Sequence, residues 1–167
     1  MPMKLFTDAV THNGVRCSVE YHESDDFQHI PDALIQKVHA VCFYEDKLLL
    51  VGYSNFDIWG IPGGTREPGE SIEETLLREI LEETNCEVVD LAPLGYQKVI
   101  APDGDVHYRM QYFCNVKPRG DFESDVAGFV NKIIWINPAD YKDHIEQKEF
   151  RQIVLQSALD KYQGFSA

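Results

Sequence analysis

The stretch Trp59 to Glu74, "WGIPGGTREPGESIEE", constrains this chain more than any other. Gly60, Gly63, Gly64 and Gly69, with Pro62 and Pro68, sit too densely for a regular strand, so the backbone must break into a tight loop. Ser71 then offers an N-cap hydroxyl, and Glu74 three residues on completes a capping box, which predicts a helix beginning near Ile72. Gly63 and Gly64 let the backbone approach a metal ion or a phosphate closely and can expose a carbonyl as a ligand, although a Gly-Gly turn taken alone is more often plain structure.

The helix carries an awkward charge. On a helix advancing about 100° per residue, with Glu79 at zero, Glu83 falls near about 40° and Glu82 near about 300°, so three carboxylates share one face. Between Glu70 and Glu87 there are seven glutamates and one basic residue, Arg78, so opposite-sign i,i+4 pairs are mostly missing. Glutamates near a helix C-terminus also oppose the macrodipole, by roughly 0.3–1 kcal/mol each. A solvated face is the ordinary explanation of an acidic helix. Here sign and position favour another, in which hard divalent cations that prefer oxygen ligands, Mg²⁺ or Mn²⁺, turn repulsion into coordination. Leu76, Leu77, Ile80 and Leu81 span the arc from about 60° to about 200° and are expected in the core, with the acidic edge left open.

At 167 residues, one domain suffices. Fifteen basic against 28 acidic residues, a formal charge of −13, argue against the broad phosphate-binding surface of a nucleic-acid binder. A polyanionic substrate would need a local cation. Cys17, Cys42, Cys86 and Cys114 form no CxxC pair and read as buried free thiols. The start "MPMKLFTDAV" shows neither a secretory signal nor a membrane span, so a cytoplasmic location is the expectation.

Residues 1–34 mix polar, aromatic and turn-prone types, with "RCSVEY" as a strand candidate. "IQKVHAVCFYEDKLLLVGY" reads as a hairpin turning at Glu45 and Asp46. "CEVVDLAPLGYQKVIA", "VHYRMQYFCNVK" and "FVNKIIWIN" read as later strands, and the tail from Pro138 as a closing helix with Phe150, Ile153, Val154, Leu155 and Leu159 on its apolar stripe.

Loop and helix together resemble the Nudix box of the Nudix hydrolase family: Gly, five residues, Glu, seven residues, Arg-Glu, an aliphatic residue, any residue, Glu-Glu, any residue, Gly, and an apolar residue. Gly64, Glu70, Arg78, Glu79, Ile80, Glu82 and Glu83 fall in register, Cys86 closes the pattern, and "WGIPG" resembles its lead-in. Asn85 stands where the pattern has glycine. That site usually needs the left-handed conformation, which asparagine tolerates next best, so the helix end should survive.

The resemblance implies an α/β fold, an α/β/α sandwich with a mixed β-sheet between helices, over residues 35–167, with 1–34 as an N-terminal extension. It implies that Glu82 and Glu83 hold the main divalent ion with help from the Gly63 carbonyl, and that Glu79 completes the metal cluster and orients or deprotonates the attacking water. Arg78 would hold the glutamates in place, and Glu70 would brace the loop. Family members often recruit a further acid from a later loop. "RGDFESDVAG" offers Asp121, Glu123 and Asp125, of which Glu123 is chosen. The implied reaction is metal-dependent hydrolysis of a nucleoside diphosphate derivative, a small-molecule substrate of ADP-ribose-like or nucleoside triphosphate type. No nucleic-acid or membrane partner is expected, and both monomer and homodimer stay open. The alternative is a nucleotide-sensing module on the same fold with its catalysis lost. Pro102 lies where a family proline is associated with ADP-ribose hydrolysis, although "APDG" is an ordinary turn. Tyr53, Phe56, Tyr96 and Tyr108 are all candidates for stacking on a base.

Overall fold

The computed structural model describes residues 3–53, 59–125, 128, 130–145 and 149–166, and the side chains of all of these except 3–6, 149–150 and 163–166. The polar first segment forms two strands, β1 (Met3–His12) and β2 (Val15–Glu23), which pair antiparallel through a turn at Asn13 and Gly14. Both turn residues have positive φ, 50° and 79°, which an Asn-Gly pair adopts readily. The apolar runs after it form β3 (Ile35–Tyr44) and β4 (Lys47–Tyr53), a hairpin turning at Glu45 and Asp46 as expected.

The glycine-rich stretch is less irregular than its composition suggests. It holds two short strands, β5 (Trp59–Gly60) against β4 and β6 (Gly63–Thr65) against β3. Helix α1 (Ile72–Thr84) follows, then the long strands β7 (Cys86–Ile100) and β8 (Val106–Pro118), then β9 (Val130–Ile136). The tail is helical from Pro138 but not as one helix: a 3₁₀ helix spans Pro138–Asp143, and α2 runs from Glu149 to Ser166. Ile153, Val154, Leu155 and Leu159 do pack into the core from α2, while the Phe150 side chain lies outside the described residues.

Among the described residues the strands form one curled sheet in the order β1-β2-β7-β8-β3-β4-β5, with β6 added to β3 and β9 to β4. The β3–β8 pair is parallel and the other pairings are antiparallel, so the sheet is mixed. Because successive strand residues face opposite sides, β3 feeds two cores. Val38, Ala40 and Cys42 pack with Leu76 and Ile80 of α1, while Val41 and Phe43 pack with Val154, Leu155 and Ala158 of α2. The result is a helix on each face of a mixed sheet, the α/β/α sandwich. The first segment belongs to the same sheet, since β2 pairs with β7 from Ser18↔Ile100 to Glu23↔Gly95.

The buried stripe of α1 is rotated from the one its leucines suggest. Leu76 and Ile80 are fully buried, worth about 1.5–3 kcal/mol each, but Leu77 and Leu81 are 45% and 39% exposed. The stripe continues instead through Glu83, only 7% exposed, and Thr84. The acidic edge is therefore not wholly open, because one of its carboxylates has gone inside.

Candidate active site

Helix α1 starts where its sequence says it should. Ser71 Oγ accepts from the Glu74 N–H (3.1 Å) and Glu74 Oε2 accepts from the Ser71 N–H (2.7 Å), closing the capping box. One residue before the cap, Glu70 ties the loop to the helix. It accepts from the Glu67 N–H (3.0 Å), the Thr75 hydroxyl (2.9 Å) and Arg78 Nη2 (3.1 Å), and Arg78 Nε also donates to it. These donors, the Arg78 guanidinium first, hold the Glu70 carboxyl down at about 2.

Arg78 reaches further. Its Nη1 donates to Glu79 Oε1 (3.0 Å) and Glu82 Oε2 (3.3 Å), and its Nη2 donates to the Thr65 carbonyl (3.2 Å). A single cation thus bridges the loop strand β6, the turn glutamate and two of the three clustered carboxylates. The third, Glu83, accepts the Gly63 N–H at 3.0 Å.

The two glycines have separate jobs. A Cβ on Gly63 would lie 2.2 Å from the Val38 carbonyl oxygen, so this residue must lack one for β6 to lie against β3. A Cβ on Gly64 would lie 2.3 Å from Glu79 Oε1, so the loop leaves that space to the carboxylate. Glu79 and Glu83 are thereby held against adjacent residues of one loop.

Burial and mutual repulsion set the electrostatics. Desolvation first, then the charges of Glu79, Asp125 and Glu82, push the Glu83 carboxyl up to about 8 against the opposing Gly63 hydrogen bond. Glu79 is also raised by burial, with Arg78 pulling the other way and Glu82 and Asp125 adding to the rise. Among the described residues, no three carboxylates already converge as a finished metal cage. The donor set nonetheless fits a hard divalent ion. It is all oxygen, it is crowded enough to raise two carboxyls, and it sits in a recess that a Cβ on Gly64 would fill.

Of the three late-loop acids, one acts on the clustered carboxylates. Asp125 is the residue whose charge acts on both Glu79 and Glu83, and its N–H donates to the Val130 carbonyl (3.1 Å). Glu123, chosen from the sequence, is exposed, and Asp121 is exposed with its carbonyl accepting from Asn85 Nδ2 (3.1 Å). Nothing in the sequence distinguishes the three, because loop closure decides which points inward.

Of the stacking candidates, Tyr53 lines a cavity beside the carboxylates, Tyr96 and Tyr108 pack against one another on the α1 side, and Phe56 lies outside the described residues. Pro102 is exposed at the tip between β7 and β8, where the Ala101 N–H donates to the Asp105 carbonyl. The cavity, about 230 Å³, is also lined by Lys37, His39, Trp59, Gln97, Arg109, Gln111 and Arg151. Sequence reasoning misses its cations. Lys37 and His39 alternate with the buried Val38 and Ala40 on β3, and that alternation is the signal that could have marked them as one face.

A curled mixed sheet between two helices, with a glycine-rich loop docked on an acidic helix, defines a NUDIX domain, and the sequence model of that domain matches residues 34–156. The chain belongs to the NUDIX family. It is 34% identical over 98 residues to a Caenorhabditis elegans protein provisionally named nudix hydrolase 1, covering 58% of this chain and 25% of that one. It is 45% identical over 53 residues to a Bacillus subtilis protein provisionally named an 8-oxo-dGTP diphosphatase, covering 31% and 36%. The match therefore spans between a quarter and just over a third of these curated relatives' own length. Among solved structures, the Bacillus subtilis pyrophosphohydrolase BsRppH shares the fold, with a TM-score of 0.68 at 24% identity, over 87% of this chain and 92% of that one.

Proposed function

We propose that this chain is a divalent-metal-dependent hydrolase that cleaves the diphosphate linkage of a nucleoside diphosphate derivative by attack of water on phosphorus. The observation that carries the reading is the docking of Glu83 on Gly63 and Glu79 against Gly64, beside a cation-lined cavity. The names of the relatives, a diphosphatase and a pyrophosphohydrolase, describe the same class of reaction.

Glu82, Glu83, Glu79 and the Gly63 carbonyl are the groups that would hold the metal, Mg²⁺ or Mn²⁺. When bound, such an ion neutralises the diphosphate, polarises phosphorus and lowers the pKa of water. Glu79 takes the proton from the attacking water, a task suited to a carboxylate whose burial has made it more basic. Arg78 holds Glu79 and Glu82 in place through charge-assisted bonds, and Glu70 fixes Arg78 to the loop. Among the loop acids, Asp125 is better placed than Glu123 to join them. Water adds to phosphorus, losing a proton to Glu79, and the bridging oxygen leaves with the electron pair on the departing phosphate; a diphosphate joining two organic groups gives two phosphate monoesters, and a triphosphate gives a monophosphate and pyrophosphate or a diphosphate and phosphate.

Incubation with a panel of nucleoside diphosphate derivatives and triphosphates, with and without Mg²⁺, tests this by chromatography of the products. The expected result is a nucleoside monophosphate or free phosphate product that requires the metal. Binding of panel members without turnover would instead favour the nucleotide-sensing alternative.

A further inference from the structure

A chain of net charge −13 gathers Lys37, Arg109 and Arg151 around one cavity, together with His39. Sheet register explains how. Lys37 on β3 pairs with Arg109 on β8, which pairs with Gln97 on β7, and His39 pairs with Gln111. Two adjacent rows of one sheet face therefore present cations and amides to the same space, and α2 adds Arg151 from above.

Among the described residues no Asp or Glu lines the cavity, and neither Lys37 nor Arg109 has a carboxylate partner. Arg109 Nη2 donates to His12 Nδ1 (3.3 Å), but its buried Nε has no hydrogen-bond partner. Gln97 and Gln111 are 4% and 3% exposed, with no side-chain hydrogen bond among the described residues. Burial and the charges of Lys37, Arg109 and Arg151 push His39 down to about 4, so it stays neutral at pH 7. Desolvated like charges cost free energy unless a ligand compensates them. An anion with several acceptor oxygens does so, and a guanidinium binds phosphate bidentately.

The cavity backs on the loop that holds Glu83. Gly63, whose N–H binds Glu83, backs directly on His39, where a Cβ would lie 2.6 Å from His39 Cδ2. Tyr53 lines the cavity, and burial first, then the charge of Glu83, raises its hydroxyl's pKa, with Arg151 opposing. At about 230 Å³ the cavity is smaller than the roughly 300–1,000 Å³ of sites that enclose a whole drug-sized ligand. It suits one arm of a substrate.

We propose that this cavity holds a phosphate group lying outside the hydrolysed linkage, so that the chain selects nucleoside diphosphate derivatives bearing a further phosphate over those ending in a neutral sugar. The assignment deepens the hydrolase reading and rests on it for the word substrate. That phosphate has two sources, the third phosphate of a nucleoside triphosphate or a phosphate on a sugar of the derivative.

The test has two arms. In the first, inorganic pyrophosphate is titrated calorimetrically into the full chain in chelator without divalent metal. Binding that weakens at least tenfold in Arg109→Gln and in Lys37→Gln, each checked for native circular dichroism, supports the site. Equal binding by wild type and both folded variants, or none by wild type, overturns it. In the second arm, kcat/KM is compared for a nucleoside triphosphate, a diphosphate derivative with a phosphorylated sugar, and its unphosphorylated counterpart. The expected result is a preference of at least tenfold for one or both phosphate-bearing compounds, expressed in KM, which shrinks in Arg109→Gln and is largely kept in Arg109→Lys. Equal kcat/KM for phosphorylated and neutral compounds in wild type overturns the proposal while leaving the hydrolase reading intact. If nothing in the panel is hydrolysed, the hydrolase reading fails and the pyrophosphate titration alone decides the cavity.

Discussion

Asn85 is the residue at which this chain departs from the Nudix box, and the structure gives the departure a use. It sits in the left-handed region (φ 54°, ψ 35°), where its N–H donates to the Leu81 carbonyl, as a helix-ending glycine would. Its side chain does what glycine cannot, donating to the Asp121 carbonyl (3.1 Å), while its own carbonyl accepts from the Arg119 N–H (3.0 Å). The helix end is thus tied to the loop that carries Asp125. Asn85→Gly trades an easier backbone for a lost hydrogen bond of about 0.5–1.5 kcal/mol, so global stability should change little while amide exchange quickens over residues 119–125. Asn85→Val should cost about 1–2 kcal/mol by chemical denaturation, because a β-branched side chain crowds the backbone in the left-handed region that asparagine tolerates and the bond to Asp121 is lost. Unchanged exchange in the glycine variant would show that the side-chain tie is idle.

Glu70 gives a residue-scale test in pH. Its folded value of about 2 lies below the ordinary 4.5, so the folded state binds the proton more weakly than the unfolded state. The stability it contributes is fully present above about 4.5 and is lost as pH falls towards about 2. Glu70→Gln should therefore lie below wild type at pH 6 and draw level with it near pH 2.5, as measured by urea midpoints. Parallel curves at all pH values would remove Glu70 from the clasp around Arg78.

At the scale of elements, α1 separates what periodicity can reveal from what docking decides. The capping box and the start at Ile72 are legible because they depend on residues three apart in sequence. Which arc is buried is not, since Leu77 and Leu81 project from a plausible core side yet the helix is turned to carry Glu83 onto Gly63. Leu76→Ala should cost about 2–5 kcal/mol and Leu77→Ala less than about 1 kcal/mol. Similar losses at both positions would place the helix in the rotation its leucines suggest. The first hairpin carries the opposite lesson. Asn13-Gly14 between strand-forming residues is a local hairpin signal that composition obscured, because the segment around it is polar.

For the whole molecule, the charge balance read from the sequence was informative about the surface and silent about the interior. A strongly acidic chain was expected to need a local cation for any polyanion, and Lys37, Arg109 and Arg151 provide three, from β3, β8 and α2. They are far apart in sequence and meet only through the parallel β3–β8 pairing and the return of α2 over the sheet. The acidic half of the candidate site was legible because it lies within one loop and one helix. The cations of the proposed subsite and the placing of Asp125 near the carboxylates were not, because both depend on long-range closure.

In the proposed reaction, the recessed carboxylates of α1 power a metal-dependent hydrolysis. The most direct measurement is the Mg²⁺-dependent steady-state rate of wild type and Glu79→Gln on the best panel substrate, with circular dichroism and thermal melting as controls on the fold. The account predicts a folded variant whose kcat falls by about 10²–10⁴, with no turnover by wild type when the metal is chelated. A folded Glu79→Gln protein that keeps near wild-type turnover, or a wild type equally active in chelator, would contradict it.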